Sequence, residues 1–461
     1  MEPIELDRGR PFARGLLAFW MVLAGGAAAA DTAVLATPDQ AAAESRALKI
    51  VATPKVKAQI EASSRAFQAL PFANDPEAQR TLRPAVDELA FATALDAVDG
   101  DSQRPKVVWG FTAPRTWLGH AVPGSRWGID NPDNVYRIIP LDGDSKYEIH
   151  VRSKGAGPIQ YSFLVYDSFV GEDGRQAHLD APVAGLRDRD ILVGADGTFT
   201  LTVDASPANG RVNHIQTNDN ARVLLVRNTF SDWRRQAPLE VSVKRLGPPT
   251  RAALSDDQLA DRAASLLKVA SETIVGWEQK GFAARSAANV ISKPNARGGG
   301  WGFAANGNFK VADDEALIVT LDPLGAQYVG FDLTTPWLVS LEHVHGSGSL
   351  NNSQAEANPD GTITYVIGPK DPGVYNWLST SGLHAGNILI RWQALPASVT
   401  SAEHAVRSVQ VVKLAGLRAA LPASTRQVTA SERRQLVEQR ATDYARRYGA
   451  ATAVASLAAA P

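Results

Sequence analysis

Two stretches of the chain carry short strand-like blocks in the same order, and this repetition limits the possible folds more than any other feature. The matching blocks are residues 147–151 with 316–320, 160–165 with 327–332, 195–200 with 359–364, and 223–227 with 387–391. Apolar and polar residues alternate in several of these blocks, which is the period of a strand with one buried face. Asp-Gly pairs between strands are typical of hairpin turns. The alternative is that strands and turns look alike in any all-β chain.

The repetition predicts a mainly β protein with two tandem antiparallel β-sandwich domains that are jelly-roll-like. Helical periodicity predicts further helices before, between and after them, and Ser255 with Gln258 forms a capping box at the start of the middle helix. The predicted segments are 1–30 for a signal peptide, 31–105 for a helical N-terminal region, 106–250 for the first sandwich, 251–290 for a linker helix, 291–415 for the second sandwich and 416–461 for a C-terminal helix.

The first 30 residues have the composition of a cleavable signal peptide. Three arginines precede the apolar run at residues 16–24, and small residues follow up to a cleavage site near Ala30. The run is too short to span a bilayer. We therefore expect a periplasmic or secreted protein with no membrane span after cleavage. An uncleaved signal anchor is the alternative.

Composition excludes several classes of function. The chain has no Cys, so disulfides, cysteine-ligated metals and thiol catalysis are excluded. Its 47 basic and 48 acidic residues almost cancel, which is unlike the basic surface of a nucleic-acid-binding protein. We expect a small-molecule or glycan ligand and no nucleic-acid partner. The sequence does not predict the number of subunits.

The first candidate site lies in residues 127–137, whose opening recurs weakly in residues 301–309 without the two carboxylates. A proline after Asn131 restricts that residue to extended geometry, and Asx side chains cap such turns, so a purely structural turn is one interpretation. In the other, Asp130 and Asp133 form an acid–base pair, because two close carboxylates separate their pKa values. We predict no cofactor and no resident metal, with Ca²⁺ as a minor alternative.

The second candidate site is Glu342 with His343 and His345. On a strand the two histidines would share one face and Glu342 would lie on the other. Two imidazoles on one face could bind a metal, or one could act as a base. Because no third histidine stands nearby in the sequence, no complete metal site is predicted. A structural role is the alternative.

The third candidate site is the segment 371–378, which contains Asn376 and Trp377. An amide next to a broad apolar ring is suited to holding a sugar or another ring-shaped ligand. In the alternative interpretation this segment is a turn whose tryptophan fills the core.

The motifs as a set resemble a bacterial domain-of-unknown-function family, number 1214. The blocks that carry the resemblance are residues 130–136, 141–143, 226–233, 314–319, 349–355, 371–378 and 390–392. Together they cover roughly residues 106–393. The resemblance implies a β-rich, jelly-roll-like fold, and it implies no reaction and no catalytic residues.

These features predict an exported enzyme, a hydrolase or lyase that acts on a glycan or glycoside-like substrate by carboxylate and histidine acid–base chemistry. The predicted catalytic residues are Asp130, Asp133, Glu342 and His345. The predicted substrate contacts are Arg126, Trp127, Asn131, Tyr136, Asn351, Asn376 and Trp377. One alternative is a non-catalytic periplasmic binding protein for a sugar-like or hydrophobic ligand. Another is an assembly role in which the terminal helices bind a partner.

Overall fold

The computed structural model describes residues 34–168, 171–175, 181–282, 287–298 and 301–448. All of them belong to one compact unit, and the domain boundaries given above stay a prediction. The signal peptide predicted at residues 1–30 lies outside the described residues. Within the described part of the chain, no helix combines the length and the apolar composition needed to cross a bilayer.

The helices lie at both ends of the described chain and at its middle. Their bounds are α1 (Pro38–Val51), α2 (Pro54–Gln68), α3 (Pro76–Asp99), α4 (Asp256–Trp277), α5 (Leu417–Ala420) and α6 (Ala430–Ala445). A proline occupies the first position of α1, α2 and α3, where its missing N–H costs no hydrogen bond. The capping box predicted for α4 is confirmed, and α4 packs against α2 and α3.

The strands fall into two series. The first series is β1 (Val108–Gly110), β2 (Arg115–Trp117), β3 (His120–Val122), β4 (Asn134–Pro140), β5 (Lys146–Arg152), β6 (Gln160–Tyr166), β7 (Ala184–Arg187), β8 (Thr198–Asp204), β9 (His214–Gln216), β10 (Val223–Thr229) and β11 (Glu240–Leu246). The second series is β12 (Asn295–Ala296), β13 (Phe303–Lys310), β14 (Glu315–Leu321), β15 (Tyr328–Thr334), β16 (Ser349–Asn351), β17 (Ile363–Gly368), β18 (Trp377–Ser379), β19 (Ala385–Gln393) and β20 (Val406–Lys413).

Each series forms one five-stranded and one four-stranded sheet, and the two series have the same strand order; β2 and β3 of the first series form a separate two-stranded sheet. The first gives β1-β4-β10-β6-β7 and β11-β5-β8-β9, and the second gives β12-β13-β19-β15-β16 and β20-β14-β17-β18. Neighbouring strands are antiparallel except for β8 with β9 and β17 with β18. These two parallel pairs occupy the same end of their sheets, so the repetition seen in the sequence is also present in the topology.

Within each series the two sheets share one apolar core. Ile149 of the first four-stranded sheet and Phe163 of the first five-stranded sheet belong to one buried cluster, and Leu317 and Phe331 do so in the second series. The opposite face of the first five-stranded sheet packs on the helices, where Leu225 joins a cluster with residues of α1 to α4. Each such buried side chain stabilises the fold by about 1.5–3 kcal/mol.

The described chain is a mixed structure with about 28% helix and 29% strand, which corrects the prediction of a mainly β protein. The antiparallel sheets and the N-terminal, linker and C-terminal helices agree with the prediction. Helices make up as much of the chain as strands because the outer face of the first five-stranded sheet is itself apolar and packs on them.

Two of the four predicted block pairings are shifted by one residue. Tyr147 and Phe163 point into the first core, and the inward residues at the equivalent places are Leu317 and Phe331. The predicted partners were residues 316 and 330. A shift of one residue exchanges the two faces of a strand, so the burial pattern corrects the pairing. The other two pairings match core residues of the first series with core residues of the second.

Candidate functional site

The two sheet pairs meet at a seam, which we define by the contacts of residues 126–134 with the second strand series. Asp133 lies in the seam and is fully buried. Its Oδ1 accepts hydrogen bonds from Trp233 Nε1 and Asn351 Nδ2, both at 2.7 Å. Its Oδ2 accepts one from the Tyr328 hydroxyl at 2.9 Å. Asp133 therefore joins the loop after β10 to β15 and β16.

Opposing effects act on the pKa of Asp133. Burial raises it, while the positive charges of Arg447 and Arg440 and the hydrogen bonds from its donors lower it, and the net direction is upward. Arg447 also donates to the carbonyl oxygen of Pro132 at 2.7 Å. Both carboxylate oxygens of Asp133 have protein partners and no exposed surface. Asp133 therefore acts as an anchor, which means that its hydrogen bonds stabilise the seam.

Asn131 and Asp130, the neighbours of that anchor, have different surroundings. Asn131 Oδ1 accepts the backbone N–H of Asp133 at 2.8 Å, which is the Asx turn considered from the sequence, and its Nδ2 donates to the Tyr328 hydroxyl at 3.0 Å. Asp130 is instead bonded to the hydroxyl of Ser340 at 2.9 Å. Burial raises the pKa of Asp130 to about 6, against the opposing charge of Arg126.

Arg126, Trp127 and Tyr136 lie near Asp130, and all three have structural partners; the Tyr136 hydroxyl accepts a hydrogen bond from Asn134 at 2.8 Å. Arg126 Nε donates to Glu88 of α3 at 3.0 Å, and its Nη1 donates to the backbone carbonyl of residue 340 at 2.8 Å. Trp127 is buried and stacks on Phe111 with ring centroids 5.3 Å apart. Asp130, Trp127 and Tyr136 line one small cavity of about 90 Å³, which we call the seam cavity.

The strand geometry in which His343 and His345 would share a face is not present, because residues 341–346 form coil and bends. The Glu342 carboxylate accepts the backbone N–H groups of Val344 at 2.7 Å and His345 at 2.8 Å, and such side-chain bonds favour a turn over a strand. His343 is buried and His345 is exposed, so the two imidazoles do not share a face. Among the described residues, no group of three side chains that could hold a metal ion is present.

His343 is held in its neutral form. Its Nδ1 lies 3.0 Å from the carbonyl oxygen of Leu341, and since a carbonyl can only accept, Nδ1 donates. Burial, with the nearby charges of Arg126 and Arg440, lowers the pKa of His343 well below its usual range. A histidine in this state contributes packing and one hydrogen bond.

Asn376 and Trp377 support the turn that contains them. The Asn376 amide pairs with the backbone N–H and C=O of Glu356, both at 2.8 Å, and donates to the carbonyl of Thr364 at 3.0 Å. Trp377 Nε1 donates to the carbonyl of Gly368 at 3.1 Å. The polar groups of both side chains are thus directed to the backbone.

Several of the sequence motifs meet at a groove beside α6, which we call the α6 groove. It has a volume of about 230 Å³ and is bounded by the loop 231–234, the segment 346–354, Tyr375 and one face of α6. The three non-helical parts overlap blocks that carry the family resemblance, whereas Arg234 and residues 346–348 lie outside those blocks. Asp133 lies behind them, because it bonds both Trp233 and Asn351.

Arg440 and Ser347 supply polar groups to the α6 groove. Arg440 is buried, and its Nε, Nη1 and Nη2 donate to His343 O at 2.6 Å, Gln354 Oε1 at 2.9 Å and Ser349 Oγ at 2.9 Å. Burial lowers the pKa of Arg440 to about 10. The buried Ser347 hydroxyl has no hydrogen-bond partner within the described part of the chain. Since a buried unpaired hydroxyl is costly, a bound ligand is its natural partner.

None of the residues that line the α6 groove was predicted as a site residue, including Trp233, Ser347 and Arg440. Trp233 stood in a block of the family resemblance, and Ser347 follows the Glu342 motif by a few positions. Arg440 carried a weaker signal. It lies at helical spacing from Arg433, Leu436 and Val437, and all four line the groove.

Comparisons with known proteins support the fold and not a function. No family model matches the chain, and no curated protein matches it. Among solved structures, the chain is similar to an uncharacterized protein from Burkholderia cenocepacia, with a TM-score of 0.63 and 22% identity over 80% of this chain and 99% of that one. A protein from Vibrio parahaemolyticus matches with a TM-score of 0.39 and 12% identity, over 62% of this chain and 90% of that one.

Proposed function

We propose that this protein binds a neutral sugar ring in the α6 groove without transforming it. The observation that carries the proposal is the meeting of three motif-bearing loops and α6 around one groove of about 230 Å³. A cavity of about 150 Å³ accommodates benzene, so this groove has room for a single hydroxylated ring. Sites for small ligands combine apolar and aromatic walls with a few placed polar groups, and this groove has both.

The walls offer aromatic contact and uncommitted hydrogen bonds. Tyr375 supplies an aromatic ring, and the apolar face of a sugar packs well on such a surface. The ring of Trp233 is buried and packs on Arg440 and Arg447. Ser347 Oγ can donate and accept. A guanidinium carries five N–H groups, and the described residues take three of those of Arg440. The remaining donors fit the hydroxyl groups of a sugar.

The charges of the groove favour a neutral ligand. Arg234 pairs with Asp443 at 2.8 Å, and Arg433 pairs with Asp371 at 2.9 Å. These arginines have carboxylate partners, so a charged ligand would compete with existing ion pairs. A neutral ligand would not disturb them.

The cellular setting completes the proposal. Export by a signal peptide cleaved near Ala30 would place the protein in the periplasm or outside the cell, where free sugars and glycan fragments are available. Membership of family number 1214 would be consistent with this setting. Reading the amino terminus of the mature protein by mass spectrometry tests the cleavage, and an intact Met1 would contradict it.

Calorimetric titration of the mature protein with a panel of neutral monosaccharides and disaccharides tests the groove. Ser347→Ala should weaken binding of the best sugar by about fivefold to tenfold, the equivalent of one hydrogen bond. Ser64→Ala on α2 is the matched control, because its hydroxyl bonds only its own helix. Equal affinities for Ser347→Ala and the wild-type protein would contradict the assignment of the groove.

The catalytic hypothesis has one supporting observation, which is the pKa of Asp130. A carboxyl group with a pKa of about 6 is suited to donate a proton near neutral pH. An enzyme of this kind would release reducing sugar from a glycan, and Asp130→Asn would abolish the release without unfolding the protein. Absence of product from a broad glycan panel would leave the binding function alone.

We also infer that the two sheet pairs are jelly-roll-like sandwiches that arose by duplication. The matching strand orders and the two parallel pairs at equivalent places support this. Superposition of the two halves of an experimental structure would test it, since duplication requires Tyr147 to superpose on Leu317 rather than on Ala316.

A further inference from the structure

We propose that the seam cavity binds a short hydroxy-carboxylate, at a site separate from the α6 groove. The cavity lies between β4 and β10 of the first series and β19 of the second, and its volume is about 90 Å³. A water molecule takes up about 30 Å³ of liquid. The cavity therefore has the size of a carboxylate with one or two further heavy atoms.

Arg227 supplies the positive charge. It lies on β10 opposite Tyr136 of β4, it lines the cavity, and its guanidinium packs over the ring of Trp301 at 5.2 Å. The guanidinium of Arg227 makes neither an ion pair nor a hydrogen bond with the described residues. A partly buried guanidinium in this state is suited to bind a carboxylate with two parallel N–H···O bonds.

Arg391, unlike Arg227, already has partners within the protein. It occupies β19, which has the same place in the second five-stranded sheet as β10 has in the first. Arg391 is already committed, because it forms an ion pair with Asp332 and donates to the carbonyl of Ile129 at 2.9 Å. Of the arginines that line the cavity, Arg391 is neutralised by the protein, whereas the guanidinium of Arg227 has no anionic partner among the described residues.

Two orphan acceptors show that a carboxylate alone would not complete the site. Asn134 Oδ1 and Gln393 Oε1 are buried and have no hydrogen-bond partner in the described structure, and both residues line the cavity. Each oxygen requires a donor, which a carboxylate group lacks. A hydroxyl group on the carbon next to the carboxylate supplies one donor within the available volume, which is enough for one of these oxygens, and we assign it to Gln393.

Calorimetric titration of the mature protein with glycolate, acetate and inorganic phosphate tests the proposal. Glycolate should bind at least ten times more tightly than acetate, because a site built to bond a hydroxyl rejects the analogue that lacks it. Arg227→Gln should weaken glycolate binding at least tenfold. Arg189→Gln, which removes an exposed arginine of another surface, should leave it unchanged.

A second variant keeps the proposal testable if Arg227→Gln does not fold. Gln393→Met preserves length and removes the acceptor, so the preference for glycolate over acetate should fall toward one while acetate affinity stays the same. Equal binding of glycolate and acetate to the wild-type protein would overturn the proposal. So would phosphate binding as tight as that of glycolate, or glycolate affinity unaffected by both variants.

Discussion

Replacing Asp133 by alanine should cause a large loss of stability, because three buried donors lose their acceptor together. Trp233 Nε1, Asn351 Nδ2 and the Tyr328 hydroxyl all donate to this carboxylate within 2.9 Å. Each buried donor left without a partner costs about 1–3 kcal/mol. Since the hydroxyl of Tyr328 can turn to Asn131, 3.1 Å away, we expect about 3–6 kcal/mol in total, a large share of the typical 5–15 kcal/mol.

Urea unfolding followed by tryptophan fluorescence measures this loss. With an m value of about 3 kcal/mol/M, the midpoint should fall by about 1–2 M. Asp144→Ala is the matched control, because Asp144 is exposed and makes no hydrogen bond to the described residues. The control should stay within about 0.5 kcal/mol of the wild-type protein.

One result would contradict the structural role of Asp133. If Asp133→Ala unfolded at the same urea concentration as Asp144→Ala and yet abolished ligand binding or turnover, the carboxylate would act on a ligand. Asp133 would then have the catalytic role that its sequence motif suggested, and its three donors would have other partners in solution.

Two further predictions concern buried carboxylates. Because the pKa of Asp130 is raised to about 6 from 3.8, the folded state binds more protons than the unfolded state, so stability should fall by about 2 kcal/mol as pH rises from 4 to 6. Asp130→Asn should remove this contribution to the pH slope in thermal unfolding measured across the same range. Glu88→Ala leaves buried Arg126 without its ion-pair partner and should cost about 3–5 kcal/mol in urea unfolding, whereas exposed Glu61→Ala should cost under about 1 kcal/mol.

Local patterns predicted much of the fold. Alternation identified strands such as β5 and β8, and the capping box placed the start of α4 at the correct residue. The order of the repeated blocks agrees with the strand order of the two series. These features depend on neighbours in sequence, which is why a single sequence contains them.

The register of the strands and the positions of the site residues depend on contacts between residues far apart in the chain. A single sequence does not show those contacts. In β14, Ala316 and Leu317 are both apolar and both buried, so hydrophobicity alone could not decide which of them faces the core. The strand geometry considered for His343 does not form, because the Glu342 side chain bonds the backbone N–H groups that a strand would use. Arg440 reaches the motif loops only through the packing of α6.

Residues 127–137 contain two carboxylates that the similar residues 301–309 lack, and the contacts of the seam explain this difference for Asp133. The first copy supplies Asp133, and the second supplies Tyr328 and Asn351 as its donors. Trp233 of the first series also donates to this carboxylate, so donors from both series bond to one acceptor, and the second series contributes donors at the place where the first contributes the carboxylate. The residues left without such partners, Arg227 and Ser347, are the stronger candidates for ligand contact.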